Sequence, residues 1–95
     1  MALTLEIVSE HRDILGDDTV RVFHESGGTI GRALDNDWIL PDPDKYVSGR
    51  HATIDYKGGI YFLADTSSNG TYVNDEYDAV GNEQPRRIFN GDRLR

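Results

Sequence analysis

The feature that most constrains the fold is a succession of short apolar runs, each closed by a turn signal. Apolar and polar residues alternate from Leu3 to Ile7 and again from His51 to Tyr56, and such period-2 alternation predicts half-buried strands. Glycine, asparagine or proline separates the runs at near-regular intervals, and no stretch of ten or more residues carries an apolar period of 3.6. The pattern predicts an all-β sandwich of about ten short, mostly antiparallel strands.

Turn chemistry joins the predicted strands. Lys57-Gly58-Gly59 predicts a hairpin into the strand Ile60–Ala64, because glycine adopts the positive φ of tight hairpin turns without strain. From Leu34 to Val47, two prolines and four aspartates exclude a long helix or a central strand. Trp38-Ile39-Leu40 is expected to pin this loop to the core. The remaining predictions are strands at 3–8, 20–22, 29–32, 51–56, 71–73 and on both sides of Asn90-Gly91, a turn at 10–18 and a loop at 75–85.

Size and composition exclude several classes of function. A chain of 95 residues is expected to form a single domain, 1–95. The net charge of −7 argues against nucleic acid or an anionic membrane as the partner, because both require a field of Lys and Arg. The absence of cysteine and of any long apolar run favours a cytoplasmic location. No feature calls for a cofactor.

A consecutive polar run, Asp65-Thr66-Ser67-Ser68-Asn69-Gly70, stands between two β-type runs. Asn-Gly between β-type runs is a common hairpin cue, so an ordinary connecting loop is the simplest interpretation. The same run offers many donors and acceptors to a peptide or an oxyanion. By itself the run does not separate these two interpretations.

Three segments taken together resemble the forkhead-associated (FHA) family. Gly31-Arg32 is followed by Ser48-x-x-His51, and then by Asn69-Gly70-Thr71 with Asn74 three residues later, in the order and near the spacing of that family's pattern. Each segment alone is non-specific, whereas the ordered set is strong evidence. The resemblance implies an FHA-like β-sandwich that recognises phosphothreonine peptides without catalysis.

The end of the sequence resembles a turn that precedes one or two final strands in FHA domains. This turn is Asn90-Gly91-Asp92-Arg93-Leu94, and the module is therefore expected to continue beyond residue 95. In the family the final strands pair with the N-terminal strand. The edge beside Leu3–Val8 is therefore expected to be unpaired, which would favour a homodimer by strand exchange or edge pairing.

The resemblance also implies which residues hold the phosphopeptide. Arg32 becomes the principal phosphate ligand, because a guanidinium fork matches two phosphate oxygens, and the Ser48 hydroxyl donates to the same group. Gly49 stands where many family members carry a basic or polar side chain, so only its backbone N–H can contribute and a lower affinity is expected. Ser68 contacts the phosphate or the threonine methyl group, and Asn69 bonds the peptide backbone.

Arg50 has two equally weighted interpretations. It can supplement the phosphate contacts, or it can point to the opposite face of its strand, as adjacent strand residues do. The resemblance assigns His51 a structural role, with hydrogen bonds to backbone that hold the binding loop. The residues expected to support the binding loops are Gly31, His51, Gly70, Thr71 and Asn74.

Two other classes of function are alternatives. Ser48, His51 and Asp65 could form the nucleophile, base and orienting acid of a hydrolase, although no G-x-S-x-G elbow is present. A phosphate-independent interaction module could use the edge of the sandwich. Metal binding has little support because His11, His24 and His51 have no short ligand spacing.

A narrower resemblance concerns the segment before the Ser-x-x-His motif. Leu40-Pro41-Asp42-Pro43, leading into Val47 and the motif, is similar to FHA modules at the N-terminus of bacterial type VI secretion proteins. This resemblance implies a cytoplasmic scaffold that responds to a threonine kinase.

Overall fold

The computed structural model describes residues 2–8, 18–43 and 45–95. Within these ranges the chain forms strands, turns and bends and no helix, so no described segment is a helix that could cross a membrane. The predicted all-β class is confirmed. The strands are β1 Leu3–Ile7, β2 Val20–Phe23, β3 Gly28–Gly31, β4 Trp38–Ile39, β5 Ala52–Lys57, β6 Ile60–Asp65, β7 Arg86–Ile88 and β8 Arg93–Leu94.

The strands form two sheets that enclose the core. The smaller sheet has the order β2-β1-β8, and the larger has the order β4-β3-β5-β6-β7. Most neighbouring strands are antiparallel, while β1 with β8 and β3 with β4 are parallel pairs. The inward-facing residues of the two sheets are apolar and nearly solvent-free, and they include Leu3, Leu5, Ile30, Trp38, Ile54, Leu63 and Val73.

The predicted hairpin at Lys57-Gly58-Gly59 is confirmed and forms the longest strand pairing described. β5 and β6 pair over six residues each, from Ala52 opposite Asp65 to Lys57 opposite Ile60. Gly58 and Gly59 have φ values of 58° and 84°, as a two-residue turn of this handedness requires. Because the start of β5 is paired with the end of β6, the segments before β5 and after β6 begin side by side.

The apolar residues 38–40 pin their loop to the core, as predicted, and two of them also form a strand. The Trp38 side chain is fully buried, and its indole N–H donates to the Asp18 carbonyl at 3.2 Å. Trp38–Ile39 pairs in parallel with Ile30 and Gly31. A two-residue strand is too short to produce a periodic signal, so the sequence did not predict β4.

The prediction of an unpaired edge beside β1 is wrong. β1 pairs with β2 on one side and with β8 on the other. Before β8 begins, Gly91 N–H donates to the Thr4 carbonyl at 2.8 Å, and Thr4 N–H donates to Asn90 Oδ1 at 2.7 Å. Because both sides of β1 are occupied, strand exchange or edge pairing at β1 loses its structural basis.

The predicted strand at 71–73 is reduced to a single antiparallel bridge. Val73 pairs with Leu94, and backbone hydrogen bonds join Tyr72 to Arg95 and Asn74 to Arg93. β8 therefore lies between β1 and this segment. The predicted turn at 10–18 falls outside the described residues except for Asp18.

The burial pattern predicts a large difference between two leucine truncations. Leu63 is fully buried on β6, whereas Leu34 is 85% exposed. Leu63→Ala is expected to lower the free energy of unfolding by about 2–5 kcal/mol, since it removes core contacts and leaves a cavity. Leu34→Ala is the matched control and is expected to change it by less than about 0.5 kcal/mol. Urea denaturation measures both, and equal values for the two variants would contradict this core.

Candidate functional site

Arg32 immediately follows β3 and lies against the segment that precedes β5. Its backbone N–H donates to the Ser48 carbonyl at 3.0 Å, and its side-chain Nε donates to the Val47 carbonyl at 3.0 Å. These two bonds hold the half-buried guanidinium beside residues 47 and 48. Among the described residues the two terminal guanidinium nitrogens have no hydrogen-bond partner. They are the atoms that form a bidentate contact with an oxyanion.

Ser48 connects the Arg32 region to the polar loop that follows β6, residues 66–70. The Ser48 hydroxyl oxygen accepts a hydrogen bond from the Ser68 backbone N–H at 3.0 Å. A hydroxyl that accepts in this way keeps its own hydrogen for another acceptor. The structure therefore brings Arg32, Ser48 and Ser68 together, as the sequence predicts.

The His51 imidazole joins the same two segments from behind. Its Nδ1 accepts the Ser48 backbone N–H at 3.0 Å, and its Nε2 lies 3.1 Å from the Gly70 carbonyl. Because Nδ1 accepts, the ring hydrogen must lie on Nε2, which donates to the Gly70 carbonyl. Both bonds go to backbone atoms, which is the kind of contact that the resemblance implies for His51.

Asn69 lies at the exposed tip of the polar loop. Its side-chain amide donates to the Tyr46 carbonyl at 2.8 Å, which ties the loop to the segment before Ser48. The amide oxygen has no hydrogen-bond partner among the described residues, and the residue as a whole is exposed. Asn69 thus combines a fixed orientation with an available acceptor.

An apolar cavity opens beside Asn69, between the two sheets. Its volume is about 380 Å³, and its lining includes Tyr46, Val47, Asn69, Gly70 and Tyr72. The cavity is much larger than a single methyl group.

Gly31 allows two loops of the site to approach closely. A Cβ at this position would lie 2.3 Å from the Gly49 carbonyl oxygen, closer than any ordinary contact. The buried Asn36 amide donates to the carbonyls of Ala33 at 2.8 Å and Gly49 at 2.7 Å. The sequence did not predict this function of Asn36, because the residue lies in a polar run typical of a surface loop.

Arg50 is engaged by neighbouring side chains. Its guanidinium forms a 3.0 Å ion pair with Asp35 and a 3.3 Å hydrogen bond with the Asn36 amide oxygen. The ion pair is largely exposed, at 43% and 71% for the two side chains, and exposed pairs contribute at most about 1 kcal/mol. Among the predicted ligand contacts, Arg50 is the one whose charge is already paired with a carboxylate.

The remaining supporting residues occupy two places. Gly70 has a φ of 99° within the polar loop, and Thr71 is buried at its end. Asn74 lies farther away and connects to the turn before β8, where it bonds the Asp92 carboxylate and accepts the Arg93 N–H. Asn74 therefore supports the frame of the site and does not contact the polar loop through these bonds.

The hydrogen bonds of Ser48, His51 and Asp65 differ from those of a catalytic triad. In a triad the acid holds the base through one ring nitrogen. Here the Asp65 carboxylate is bonded to Ser67, Thr71 and Gly81, and His51 Nδ1 is occupied by the Ser48 backbone. The described residues also contain no group of three His, Cys, Asp or Glu side chains that could hold a metal ion; His11 lies outside them.

Comparison with known families identifies the fold. The FHA domain model matches residues 28–95. The chain belongs to the FHA family. FHA domains are recognition modules.

Several solved structures are similar over most of the chain. One, from a study of phosphothreonine-dependent FHA domain interactions, is 30% identical with a TM-score of 0.68 and covers 100% of this chain and 86% of that one. The FhaA FHA domain, solved with the intracellular domain of another protein, is 36% identical with a TM-score of 0.63; the match covers 84% of each chain. EmbR of Mycobacterium tuberculosis, solved with a low-affinity phosphopeptide, is 25% identical with a TM-score of 0.70, covering 99% of this chain and 21% of that one.

A curated relative is much longer than this chain. The chain is 29% identical over 97 residues to a probable serine/threonine-protein kinase, fhkA, of Dictyostelium discoideum. The match covers 93% of this chain and 16% of the relative. The chain thus spans only a small part of the curated relative that it matches.

Two glycines of the site are expected to respond differently to alanine. Gly31→Ala places a Cβ 2.3 Å from the Gly49 carbonyl oxygen, so backbone must move and stability is expected to fall by about 1–3 kcal/mol. Gly49→Ala is the control, since its Cβ would meet only Ala33 Cβ, at 3.9 Å. Thermal unfolding of both variants measures the difference. A Gly31→Ala variant as stable as Gly49→Ala would contradict the close approach.

Proposed function

We propose that this protein is a phosphothreonine-peptide recognition module. The observation that supports it best is the convergence of three chain segments. The guanidinium of Arg32 lies against Val47 and Ser48, and the Ser48 hydroxyl is bonded to the loop that carries Ser68 and Asn69. The similarity to a structure from a study of phosphothreonine-dependent FHA domain interactions, and to EmbR with a bound phosphopeptide, supports the ligand class.

The phosphate would be held by a small set of donors. The terminal nitrogens of Arg32 would bond two phosphate oxygens, and charge-assisted bonds of this kind are short and strong. The Ser48 hydroxyl would donate its hydrogen to the same group, because its oxygen already accepts from Ser68. The Gly49 backbone N–H and the Ser68 side chain would complete the contact.

Asn69 would hold the peptide backbone. Its amide nitrogen is committed to the Tyr46 carbonyl, so its oxygen faces the ligand in one defined orientation. An acceptor fixed in this way loses little side-chain entropy on binding. A preference for threonine over serine would come from contact with the γ-methyl group, worth on the order of 1 kcal/mol.

A phosphopeptide titration tests the function directly. The probe is a pool of peptides with a fixed central phosphothreonine and degenerate flanks, followed by the best peptide in phosphorylated and unphosphorylated forms. Arg32→Ala is expected to weaken binding of the phosphorylated form by about tenfold to a hundredfold, since charge-assisted hydrogen bonds contribute about 1.5–3 kcal/mol. The unphosphorylated form is expected to bind far more weakly to the wild type.

Arg87→Ala is the matched control for this titration. It removes the same charge from β7, at the opposite edge of the larger sheet from β4, and is expected to leave the affinity nearly unchanged. Equal affinity for the phosphorylated and unphosphorylated peptides would refute the proposal. It would favour a phosphate-independent interaction module instead.

The open space at Gly49 predicts a variant that binds more tightly. A side chain built there meets only Ala33 Cβ, at 3.9 Å, and would stand next to Ser48. Gly49→Arg is expected to strengthen phosphopeptide binding about threefold to tenfold by adding a charge-assisted contact. Gly49→Ala adds no charge and should therefore show none of this gain in the same phosphopeptide titration. A weaker Gly49→Arg variant that remains folded would place the phosphate elsewhere.

The finer biological role that we propose is threonine-phosphorylation control of type VI secretion in a bacterial cytoplasm. Its support is the similarity of Leu40-Pro41-Asp42-Pro43 and the following motif to the FHA modules of that system. The partner would be a protein phosphorylated by a threonine kinase. Phosphopeptides captured from bacterial lysates with and without such a kinase would test this role, and kinase-independent capture would exclude it.

A further inference from the structure

The Asp65 carboxylate is buried and saturated with hydrogen bonds. Asp65 is the last residue of β6 and is only 4% exposed. Its two oxygens accept five hydrogen bonds from three residues. The donors are the backbone N–H of Ser67 at 3.0 Å, of Thr71 at 3.1 Å and of Gly81 at 3.0 Å, and the hydroxyls of Ser67 at 2.5 Å and Thr71 at 3.0 Å.

Through these bonds both ends of the polar loop are attached to a single carboxylate. Ser67 and Thr71 flank the exposed residues Ser68 and Asn69, and both donate to Asp65. The Ser67 hydroxyl also accepts the Gly70 N–H at 2.9 Å, which extends the network to the residue whose carbonyl faces His51. Hydrogen bonds to the buried Asp65 therefore hold the loop that carries the proposed ligand contacts.

A second chain segment braces the loop through the same carboxylate. The Gly81 N–H reaches Asp65, and the Val80 N–H donates to the Thr71 carbonyl at 2.9 Å. A Cβ on Gly70 would lie 3.2 Å from the Ala79 side chain, so residues 79–81 pack directly behind the loop. The position of the loop is thus coupled to a segment outside the predicted binding motif.

The network depends on Asp65 being ionised. Burial by itself raises the pKa of an aspartate, but the hydrogen bonds from Ser67, Gly81 and Thr71 outweigh burial and hold the pKa of Asp65 below its ordinary value. Among the described residues no Lys, Arg or His forms an ion pair with it. The stabilisation of the carboxylate therefore comes from the amide and hydroxyl donors of the loop itself.

We propose that Asp65 is a positioning residue for phosphopeptide binding, setting the affinity of the site from behind the loop without touching the ligand. This inference rests on the proposed function. Ser68 must keep its N–H on the Ser48 hydroxyl, and Asn69 must keep its oxygen in one place, so a small displacement of the loop is enough to weaken recognition. The segment 79–81 takes part in the same positioning.

The first test replaces the carboxylate by an amide. Asp65→Asn turns one acceptor oxygen into a donor NH₂ group that faces N–H or O–H donors, so the loop must shift. It is expected to weaken binding of the selected phosphothreonine peptide about tenfold or more. Asp55→Asn is the matched control, since it removes the same charge from an exposed position on β5.

If only net charge mattered, removing an acidic side chain would strengthen phosphopeptide binding, whereas the positioning role predicts weaker binding for Asp65→Asn. Removing one acidic side chain from a chain of net charge −7 favours a dianionic ligand slightly, and Asp55→Asn is expected to bind equally or marginally more tightly. If Asp65→Asn binds the peptide as Asp55→Asn does, the positioning role is refuted. If the wild type itself fails to distinguish the phosphorylated peptide, the proposed function fails instead.

A second pair of variants keeps the test valid if Asp65→Asn unfolds. Thr71→Val removes one hydroxyl donor to Asp65 and keeps a buried apolar side chain, whereas Thr71→Ser retains the donor. Thr71→Val is expected to weaken the phosphopeptide affinity several-fold, and Thr71→Ser is expected to restore it to near the wild-type value. Thermal melts establish that both are folded at the assay temperature. Equal affinities for the two would count against the network.

Stability of the loop network is also expected to depend on pH. The pKa of Asp65 is lowered in the folded protein, so its contribution is fully present above the unfolded value near 3.9 and is lost as the pH falls through the folded value. The difference in unfolding free energy between wild type and Asp65→Asn should therefore be largest near pH 7 and shrink below about pH 4. Urea denaturation across this range measures it. If the difference in unfolding free energy did not change with pH, Asp65 would be protonated throughout the range or would lack these hydrogen bonds.

Discussion

The pairing register between β3 and β5 is the constraint on which the site depends. Ile30 lies opposite Ala52, and the backbone contacts continue past the strand ends, where Arg32 N–H meets the Ser48 carbonyl and His51 N–H meets the Ile30 carbonyl. A slip of one residue would turn every side chain to the other face of the sheet. Arg32 and Ser48 would then no longer share one end of the sandwich.

The same register explains why small residues are needed where the loops meet. Gly31 and Gly49 approach so closely that a Cβ on Gly31 would strike the Gly49 carbonyl, and Asn36 fills the remaining gap with two hydrogen bonds. The close packing of the two glycines and the hydrogen bonds of the Asn36 amide thus stabilise the same loop contact. The Arg32 guanidinium gains its position from this closely packed backbone, through the carbonyls of Val47 and Ser48.

The sequence predicted those parts of the fold that have a local signal. Alternation in 3–7 and 51–56, together with Gly58-Gly59, was enough for the strands and the hairpin, because period-2 burial and positive φ are local requirements. The pairing of β1 with β8 was not predictable in this way. It joins residues about 90 positions apart, and no local pattern encodes such a pairing.

The residues of the candidate site also divide into those with a local sequence signal and those without one. Arg32, Ser48, His51 and Asn69 carried the resemblance because they belong to short motifs. Asn36 and Asp65 carry no such signal by themselves: each is a polar residue among other polar residues, and only its burial distinguishes it. Burial of a polar side chain requires partners, and those partners come from segments distant in the sequence, such as Gly81 for Asp65.

The remaining question is how a chain of net charge −7 can offer an anion site at all. Three aspartates within ten positions of Arg32 in the sequence accept hydrogen bonds or form an ion pair among the described residues. Asp35 pairs with Arg50, the Asp37 carboxylate accepts the Thr29 N–H, and Asp42 accepts the Val47 N–H. A carboxylate held by amide donors competes poorly for a nearby guanidinium, because its lone pairs are occupied and its position is fixed. Among the described residues the terminal nitrogens of Arg32 have no hydrogen-bond partner. At the proposed site local donor geometry would therefore outweigh net charge, while net charge would still govern encounter with the ligand.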